Sequence, residues 1–518
     1  MPIRLNRTRC RVLAATALLA LAVARTIHAQ ALTGTLSLGV AYSTQKNTVR
    51  PDGELKAQID SIDTQLAAAA KLGRSSEQRR LYAKGFALLN RRPWTPETEF
   101  ASSLLLRTER QVVDPSRRWS VRVEQGFATS IELTRPLNAR AQLRRRTPGA
   151  PANTPLTVVR ELGTFDGVPR DLRDAPFVID TDLRDVADGS YVMAVELLDS
   201  ARTLGTATLP IVVRTGLDAT IARLEAAATK APESVRADLL FPVDRLRNIN
   251  ASRLTLGTFN AERDFAVAES LLVAVNAGQD PWAKRTGDLK RHYVLKAADE
   301  VIPYRMYVPK AYTPAKSLPL IIALHGLGGT EDGFFENYGR KLPELAEQHG
   351  YIVAAPLGYR VDGAYGVALG ATTDPAARRA REFSEQDVMQ VLETVLRQYT
   401  IDPSRIYIMG HSMGAIGTWA IAAKYPDKWT ALGAFAGFGA VNTARAIGGI
   451  PQYVVHGDAD ATVPVGGSRV MVAALKGVGA EVSYIEVPGG SHMSVVEPNL
   501  PGMFDFFDRH TARPPTKP

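Results

Sequence analysis

A serine between two glycines, Gly410-His411-Ser412-Met413-Gly414, is the segment of this 518-residue chain whose spacing most directly suggests chemistry. The apolar run Arg405-Ile406-Tyr407-Ile408-Met409 precedes it, and a helical run through Trp419, Ala420 and Ile421 follows. A turn this tight between strand and helix forces a strained backbone at Ser412, and the flanking glycines leave room for it. The hydroxyl then stands at a helix N-terminus, where the dipole favours negative charge. Glycine and serine are common, so the five residues say little alone; their place between a strand and a helix makes the pattern specific.

A serine hydroxyl is a poor nucleophile until a base removes its proton. His492, in the turn Gly489-Gly490-Ser491-His492-Met493 after the last predicted strand, is the candidate base; His510 lies in the polar tail. The candidate acids, Asp458 and Asp460, occupy the segment His456-Gly457-Asp458-Ala459-Asp460-Ala461-Thr462-Val463-Pro464. A carboxylate there can bond the far nitrogen of His492, fix its tautomer and stabilise the imidazolium formed during attack. Spacing alone leaves both aspartates open, the alternative role of Asp458 being to stabilise the turn. An oxyanion needs backbone N–H groups aimed at the developing charge. Met413 supplies one, and Leu327, in His325-Gly326-Leu327-Gly328-Gly329 after an apolar strand, is expected to supply the other. His325 has a structural hydrogen-bonding role. His325, His411 and His456 each sit beside a glycine at a strand end, but none belongs to a helical His-x-x-x-His pair or a carboxylate-flanked cluster, and no glycine-rich phosphate loop occurs, so no metal and no cofactor is expected.

The elements that must hold these residues begin near Gly287. Strands are predicted at 291–295, 304–308, 318–324, 352–355, 406–409, 431–434, 452–455 and 482–487. Helices are predicted near 336–348, 385–398, 415–424, 467–476 and 503–509. Strands alternating with helices predict a mostly parallel sheet, here of about eight strands, in an α/β domain. The loop from Leu357-Gly358-Tyr359-Arg360 to Gly370 and the turn Gly437-Phe438-Gly439 follow strands and are candidates to line a pocket.

The first half reads differently. Residues 32–50 suit a short strand or an exposed lead-in. Residues 54–89 carry helical spacing, with Ile59, Ile62, Leu66 and Ala70 on one face. Short stretches at 120–124, 130–133, 141–145, 156–162, 189–198 and 205–213, separated by Pro, Gly and Asp, suggest a β-sandwich. Residues 217–278 return to helix. The expected organisation is a leader at 1–31, a mostly helical region at 32–117, a β-sandwich-like domain at 118–215, a helical connector at 216–285 and the α/β domain at 286–518. No internal repeat is present.

Composition is that of a globular protein, 45% apolar and 22% charged. The net charge of +9 is partly N-terminal, at Arg4, Arg7, Arg9, Arg11 and Arg25, and otherwise thinly spread, with Arg144-Arg145-Arg146 and Arg378-Arg379 as local clusters. No basic stripe interleaved with aromatics appears, so nucleic acid is not an expected partner. Basic residues, an apolar run at 12–23 and Ala29-Gln30-Ala31 form an export signal, which predicts a secreted or periplasmic protein beginning near Leu32. The run is too short to leave a stable membrane span. Cys10, the only cysteine, lies within that leader, so the processed chain has neither disulfide nor thiolate chemistry.

The C-terminal region resembles the esterase branch of the α/β-hydrolases: feruloyl and acetylxylan esterases, polyhydroxybutyrate depolymerase-like proteins and prolyl-oligopeptidase-related predicted peptidases. The residues that carry this are Tyr304-Arg305-Met306-Tyr307-Val308-Pro309, Pro319 to Gly329, Ser384-Glu385-Gln386-Asp387-Val388, Asp402 to Tyr407, Gly410 to Gly414 with Gly417-Thr418-Trp419, His456 to Pro464, and Gly490-Ser491-His492. Ala415 stands where the family usually has another glycine. The resemblance spans about 290–510. It implies an α/β-hydrolase sheet, a Ser412-His492-Asp460 triad in preference to Asp458, an oxyanion hole at Leu327 and Met413, and an ester substrate, polysaccharide-linked or polymeric. A serine peptidase, and a glycan- or surface-binding protein with a vestigial hydrolase domain, are the competing expectations. Oligomeric state is not set by any of these features.

Overall fold

The computed structural model describes residues 35–147, 154–282, 285–368 and 375–511. The expected leader, with Cys10 and the 29–31 site, lies outside the described residues. The chain divides into two compact units: one takes in the chain through Arg223 together with Arg245–Phe265, the other Leu224–Asp244 together with the chain from Ala266 onward.

In the first unit, α1 (Thr35–Val49), α2 (Gly53–Lys71), α3 (Ser75–Leu89) and α4 (Pro96–Ser103) lead into eight strands. The α1 helix replaces the strand or lead-in expected over 32–50: its Gly, Ser and Thr content disfavours helix, but Tyr42 is buried against α2 and α3 with Ile59, Ile62, Leu66 and Leu81, and that packing overrides propensity. The strands are β1 (Leu104–Arg107), β2 (Val112–Val113), β3 (Trp119–Gln125), β4 (Leu137–Arg145), β5 (Thr157–Val168), β6 (Phe177–Thr181), β7 (Gly189–Asp199) and β8 (Arg202–Val213). They form a three-stranded sheet, β1-β3-β6, and a five-stranded sheet, β2-β8-β7-β4-β5. Buried side chains of both, among them Val121, Val123 and Ile179 from one and Ala141, Leu143, Met193 and Val195 from the other, share one core. Residues 130–133, expected as a strand, are irregular. There Ser130 gives its N–H and hydroxyl to the Glu99 carboxylate instead of to a ladder.

Helices α5 (Leu217–Ala228), α6 (Glu233–Asn250) and α7 (Ala261–Asn276) follow. The second unit then builds one eight-stranded sheet from β9 (Gly287–Leu295), β10 (Glu300–Val308), β11 (Leu318–Leu324), β12 (Ile352–Pro356), β13 (Ile401–His411), β14 (Ala431–Phe435), β15 (Gln452–Gly457) and β16 (Val482–Val487). Their order is β9-β10-β12-β11-β13-β14-β15-β16. Only β10 runs antiparallel to its neighbours; every other pairing from β12 to β16 is parallel. The parallel strands need crossovers, supplied by α8 (Lys341–His349), α9 (Pro375–Gln398), α10 (Met413–Lys424) and α11 (Gly466–Gly477), with α12 (Val496–Asp508) closing the chain. Covered on both faces, β11, β12, β14 and β15 are buried at every residue, which is why they read as continuous apolar runs. This is the mostly parallel eight-stranded sheet that the alternation of strands and helices predicts.

Strand order also fixes where a ligand can enter. From β11 the chain crosses to β12 on one side, while β13 lies on the other. The carboxyl ends of β11 and β13 therefore flank the crevice where the winding reverses, the preferred ligand position in such sheets.

Candidate active site

Ser412 stands in that crevice, between the end of β13 and the start of α10, with φ 58° and ψ −118°. For a residue with a Cβ this backbone is strained, and its surroundings over-determine it. The Ser412 N–H donates to the Phe435 carbonyl at 2.9 Å, and the Ser412 carbonyl accepts from Ala415 at 3.0 Å and Ile416 at 3.1 Å. The two glycines of the motif are required by close approach. A Cβ on Gly414 would lie 1.9 Å from the Leu324 carbonyl oxygen, and one on Gly410 would lie 2.2 Å from the Gly414 carbonyl.

Three side chains from three loops meet in one hydrogen-bonded line. Ser412 Oγ lies 2.9 Å from His492 Nε2, and His492 Nδ1 lies 2.7 Å from Asp460 Oδ2. Nδ1–H donates to the carboxylate, which leaves Nε2 as the acceptor facing the serine hydroxyl. The Asp460 side chain is fully buried. Burial opposes its charge, but His456, His492 and the Val463 N–H favour the anion and hold its carboxyl well below the usual range. The Thr462 and Val463 N–H groups donate to Asp460 Oδ1 at 2.8 and 2.9 Å. Asp458 points elsewhere: its exposed carboxylate accepts the Gly489 N–H at 2.6 Å and braces the turn ahead of His492. His510 bonds Glu481 and the Phe506 carbonyl.

Two histidines have roles that spacing did not reveal. His456 places Nε2 3.2 Å from Asp460 Oδ2, while its Nδ1 meets Ser468 Oγ at 2.7 Å. His411, next to the serine, reaches the carbonyl of His492 through Nε2 at 3.0 Å and Tyr338 Oη through Nδ1 at 2.9 Å. Burial, with His492 beside it, pushes the His411 imidazole down to about 3, so it is neutral at ordinary pH. His411 was visible as the second residue of the motif; Tyr338 carried no signal.

The turn His325–Gly329 abuts this line, since a Cβ on Gly326 would lie 3.3 Å from Ser412 Cβ. Met413 opens α10, where a helix N–H has no intrahelical partner. Among the described residues no hydrogen bond takes up the Leu327 or the Met413 N–H. Of the two loops expected to line a pocket, the one from Leu357 has Leu357, Tyr359 and Tyr365 buried and residues 360–362 half-buried; its end at Gly370 lies outside the described residues. Phe438 is 42% exposed. Among the described residues one histidine–carboxylate group converges as metal ligands do, His349 with Asp505 and Asp508. Its His349 ends α8, just ahead of β12, and so lies at the amino ends of the parallel strands, away from Ser412 at their carboxyl ends.

Known proteins share this region. The chain is 31% identical over 134 residues to feruloyl esterase B of Neurospora crassa, covering 26% of this chain and 44% of the relative. It is 32% identical over 148 residues to S-formylglutathione hydrolase of Rattus norvegicus (26% and 50%) and 28% identical over 154 residues to acetylxylan esterase A of Aspergillus oryzae (30% and 47%). The chain spans about half the length of these relatives. Among solved structures, a ferulic acid esterase of Anaeromyces mucronatus aligns with 45% of this chain and 93% of its own at 19% identity and a TM-score of 0.36. A thermostable esterase aligns with 79% and 99% at 18% identity and a TM-score of 0.39. Residues 296–462, which hold the serine turn, the glycine-rich turn after β11 and Asp460, match the model of a family described as "Putative esterase".

Proposed function

We propose that this chain hydrolyses carboxylic esters through an acyl-enzyme formed on Ser412. The observation that carries the reading is the Ser412–His492–Asp460 line of hydrogen bonds ending on a strained serine at a helix N-terminus. As Ser412 Oγ attacks the acyl carbon, His492 Nε2 takes its proton and the carbonyl electron pair moves onto oxygen. The N–H groups of Leu327 and Met413 receive that oxyanion. Collapse breaks the ester C–O bond, and His492 hands its proton to the departing alcohol. Water then gives a proton to His492, adds to the acyl carbon and frees Ser412. Asp460, already ionised, stabilises the imidazolium in both halves.

The substrate class that fits the relatives' names is an aromatic or acetyl ester on a plant polysaccharide; a polyester is the other candidate. The basic-apolar leader at 1–31 supports export to the periplasm or beyond, where such polymers are met. Purified protein and its Ser412→Ala variant test the reaction on p-nitrophenyl acetate. Losing the nucleophile lowers kcat by about 10⁶-fold where triads of this kind have been dissected, and the thermal midpoint should stay where it was. Turnover that survives the substitution would remove Ser412 from the chemistry. A parallel panel of methyl ferulate, acetylated xylan and a peptide anilide ranks the substrates.

A further inference from the structure

Helix α9 carries a buried carboxylate that the chemistry above does not use. Asp387 has no exposed surface, and neither does Ser384, one turn earlier on the same face. Ser384 and one oxygen of Asp387 bond the same loop. Asp387 Oδ2 accepts the Tyr359 N–H at 2.7 Å, and Oδ1 accepts the Tyr293 hydroxyl at 2.6 Å. Ser384 Oγ accepts the Tyr365 N–H at 2.9 Å. Burial pushes the Asp387 carboxyl up, to about 7, against the donors from Tyr293, Tyr359 and Gly358, and Glu331 adds to the rise. Burying such a group is costly, so the loop it holds is one whose position matters.

That loop is strained. Tyr359, Ala364 and Tyr365 have φ of 62°, 56° and 51°, all left-handed and none of them glycine. Such backbone persists only where the surroundings over-determine it, and it clusters at functional sites. The loop's other contacts show what it supports. His325 Nε2 reaches the Leu357 carbonyl at 2.6 Å, the Gly328 N–H donates to the Val361 carbonyl at 2.8 Å, and the Tyr365 hydroxyl donates to the His325 carbonyl at 3.1 Å. All three land on residues 325 and 328, either side of Leu327. On the far side Lys290 pairs with Glu331 at 2.6 Å and with Asp332 at 2.9 Å, so the turn is held from both directions.

We infer that Asp387 is a positioning residue for the oxyanion turn, acting through the loop of residues 357–365 to hold the Leu327 N–H in place. This rests on the ester-hydrolase reading. Asp387 touches no reacting atom; it keeps a donor aimed, and a donor displaced by a fraction of an ångström loses most of its worth where charge develops.

The test compares p-nitrophenyl acetate with its thiono analogue, in which sulfur replaces the carbonyl oxygen. Sulfur is a weak hydrogen-bond acceptor, so the thiono reaction depends little on the oxyanion donors. Asp387→Ala should lower kcat on the oxygen ester by about 10²-fold, the cost of losing one such donor, with KM little changed. The thiono ester should lose far less, so the oxygen-to-sulfur ratio of kcat falls. Equal losses on both esters, or a lowered thermal midpoint with the ratio unchanged, would overturn the inference. Should Asp387→Ala fail to fold, Tyr365→Phe removes only the bond to the His325 carbonyl, and the same fall in the ratio is expected of it; an unchanged ratio there overturns the inference equally. Ser412→Ala separates the two ideas. If wild type and Ser412→Ala turn over both esters alike, the hydrolase reading fails. If turnover needs Ser412 but the ratio never moves, only the role of Asp387 fails.

Discussion

The two-sheet region before Val213 and the eight-stranded sheet after Gly287 bury charge in different ways. In the first, the buried Glu99 accepts the Arg80 Nε at 2.6 Å together with the Ser130 N–H and hydroxyl. Burial opposes its ionisation, but these donors outweigh it and hold the carboxyl below its usual value. In the second, Asp460 is also buried and also held low, but one of its donors is His492, whose other nitrogen faces the strained Ser412. The same physics, a carboxylate stabilised by converging N–H groups, closes a structure in one place and, on the proposed reading, primes a reaction in the other. What separates them is whether the donor is itself a base with a free face.

Asp460→Asn presses hardest on that distinction. The amide keeps the shape but offers His492 the wrong tautomer, and kcat should fall by about 10⁴-fold. The linkage to pH follows from the direction of the shift. A carboxyl held below its unfolded value of 3.8 contributes stability that is fully present above that pH and is lost as pH falls through the folded value. The acid limb of the stability curve below about pH 4 should therefore be shallower in Asp460→Asn than in the wild type. Urea midpoints measured from pH 2 to 5 read this directly; identical limbs would mean that the carboxylate is not ionised in the fold.

Glu99→Ala sharpens the comparison from the other side. Removing a carboxylate from a buried ion pair leaves its donors unmet, at a cost of about 2–4 kcal/mol. Arg80 can fall back on Glu77, 3.3 Å away, which favours the lower end of that range. The denaturant midpoint should drop while ester turnover by the folded protein stays within about twofold. A matching loss of kcat would erase the division of labour between the two regions.

How much of this the residues announced differs in the same way. Parallel strands covered on both faces must be apolar throughout, so β11, β12, β14 and β15 stood out as runs, and the residues at their carboxyl ends came with them. Ser412, Asp460 and His492 were legible because each lies in the loop straight after a strand. The parts that stayed hidden are set by contacts distant in sequence. Nothing local marks Tyr338 as the partner of His411, 73 residues away, or Asp387 as the holder of a loop 28 residues earlier. In the first half, alternation marked most strands, yet α1 was missed because its own residues are poor helix formers and contacts distant in sequence, such as the packing of Tyr42 and the Lys46–Asp63 pair, reward the helix.

The smallest effect tests one of those hidden contacts. The His492 carbonyl can only accept, so His411 must carry its proton on Nε2, and the neutral ring turns a bare Nδ1 towards Tyr338. The tyrosine hydroxyl fills that lone pair and so fixes the tautomer that tethers the base loop to the serine turn. Tyr338→Phe leaves a buried acceptor unmet, a cost of about 1 kcal/mol. The ring can escape by moving its proton to Nδ1, but a lone pair then faces the His492 carbonyl and the tether breaks. Either way the Ser412–His492 distance is less well held, and kcat should fall about fivefold with KM unchanged. Because His411 is pushed down to about 3, it is neutral before and after the change, and the kcat–pH profile between pH 5 and 9 should keep its shape. A profile that moved would mean that His411 titrates with the reaction; an unaltered kcat would mean that the His492 loop holds its position without the tether, as the turn around Glu99 does without any link to a reacting group.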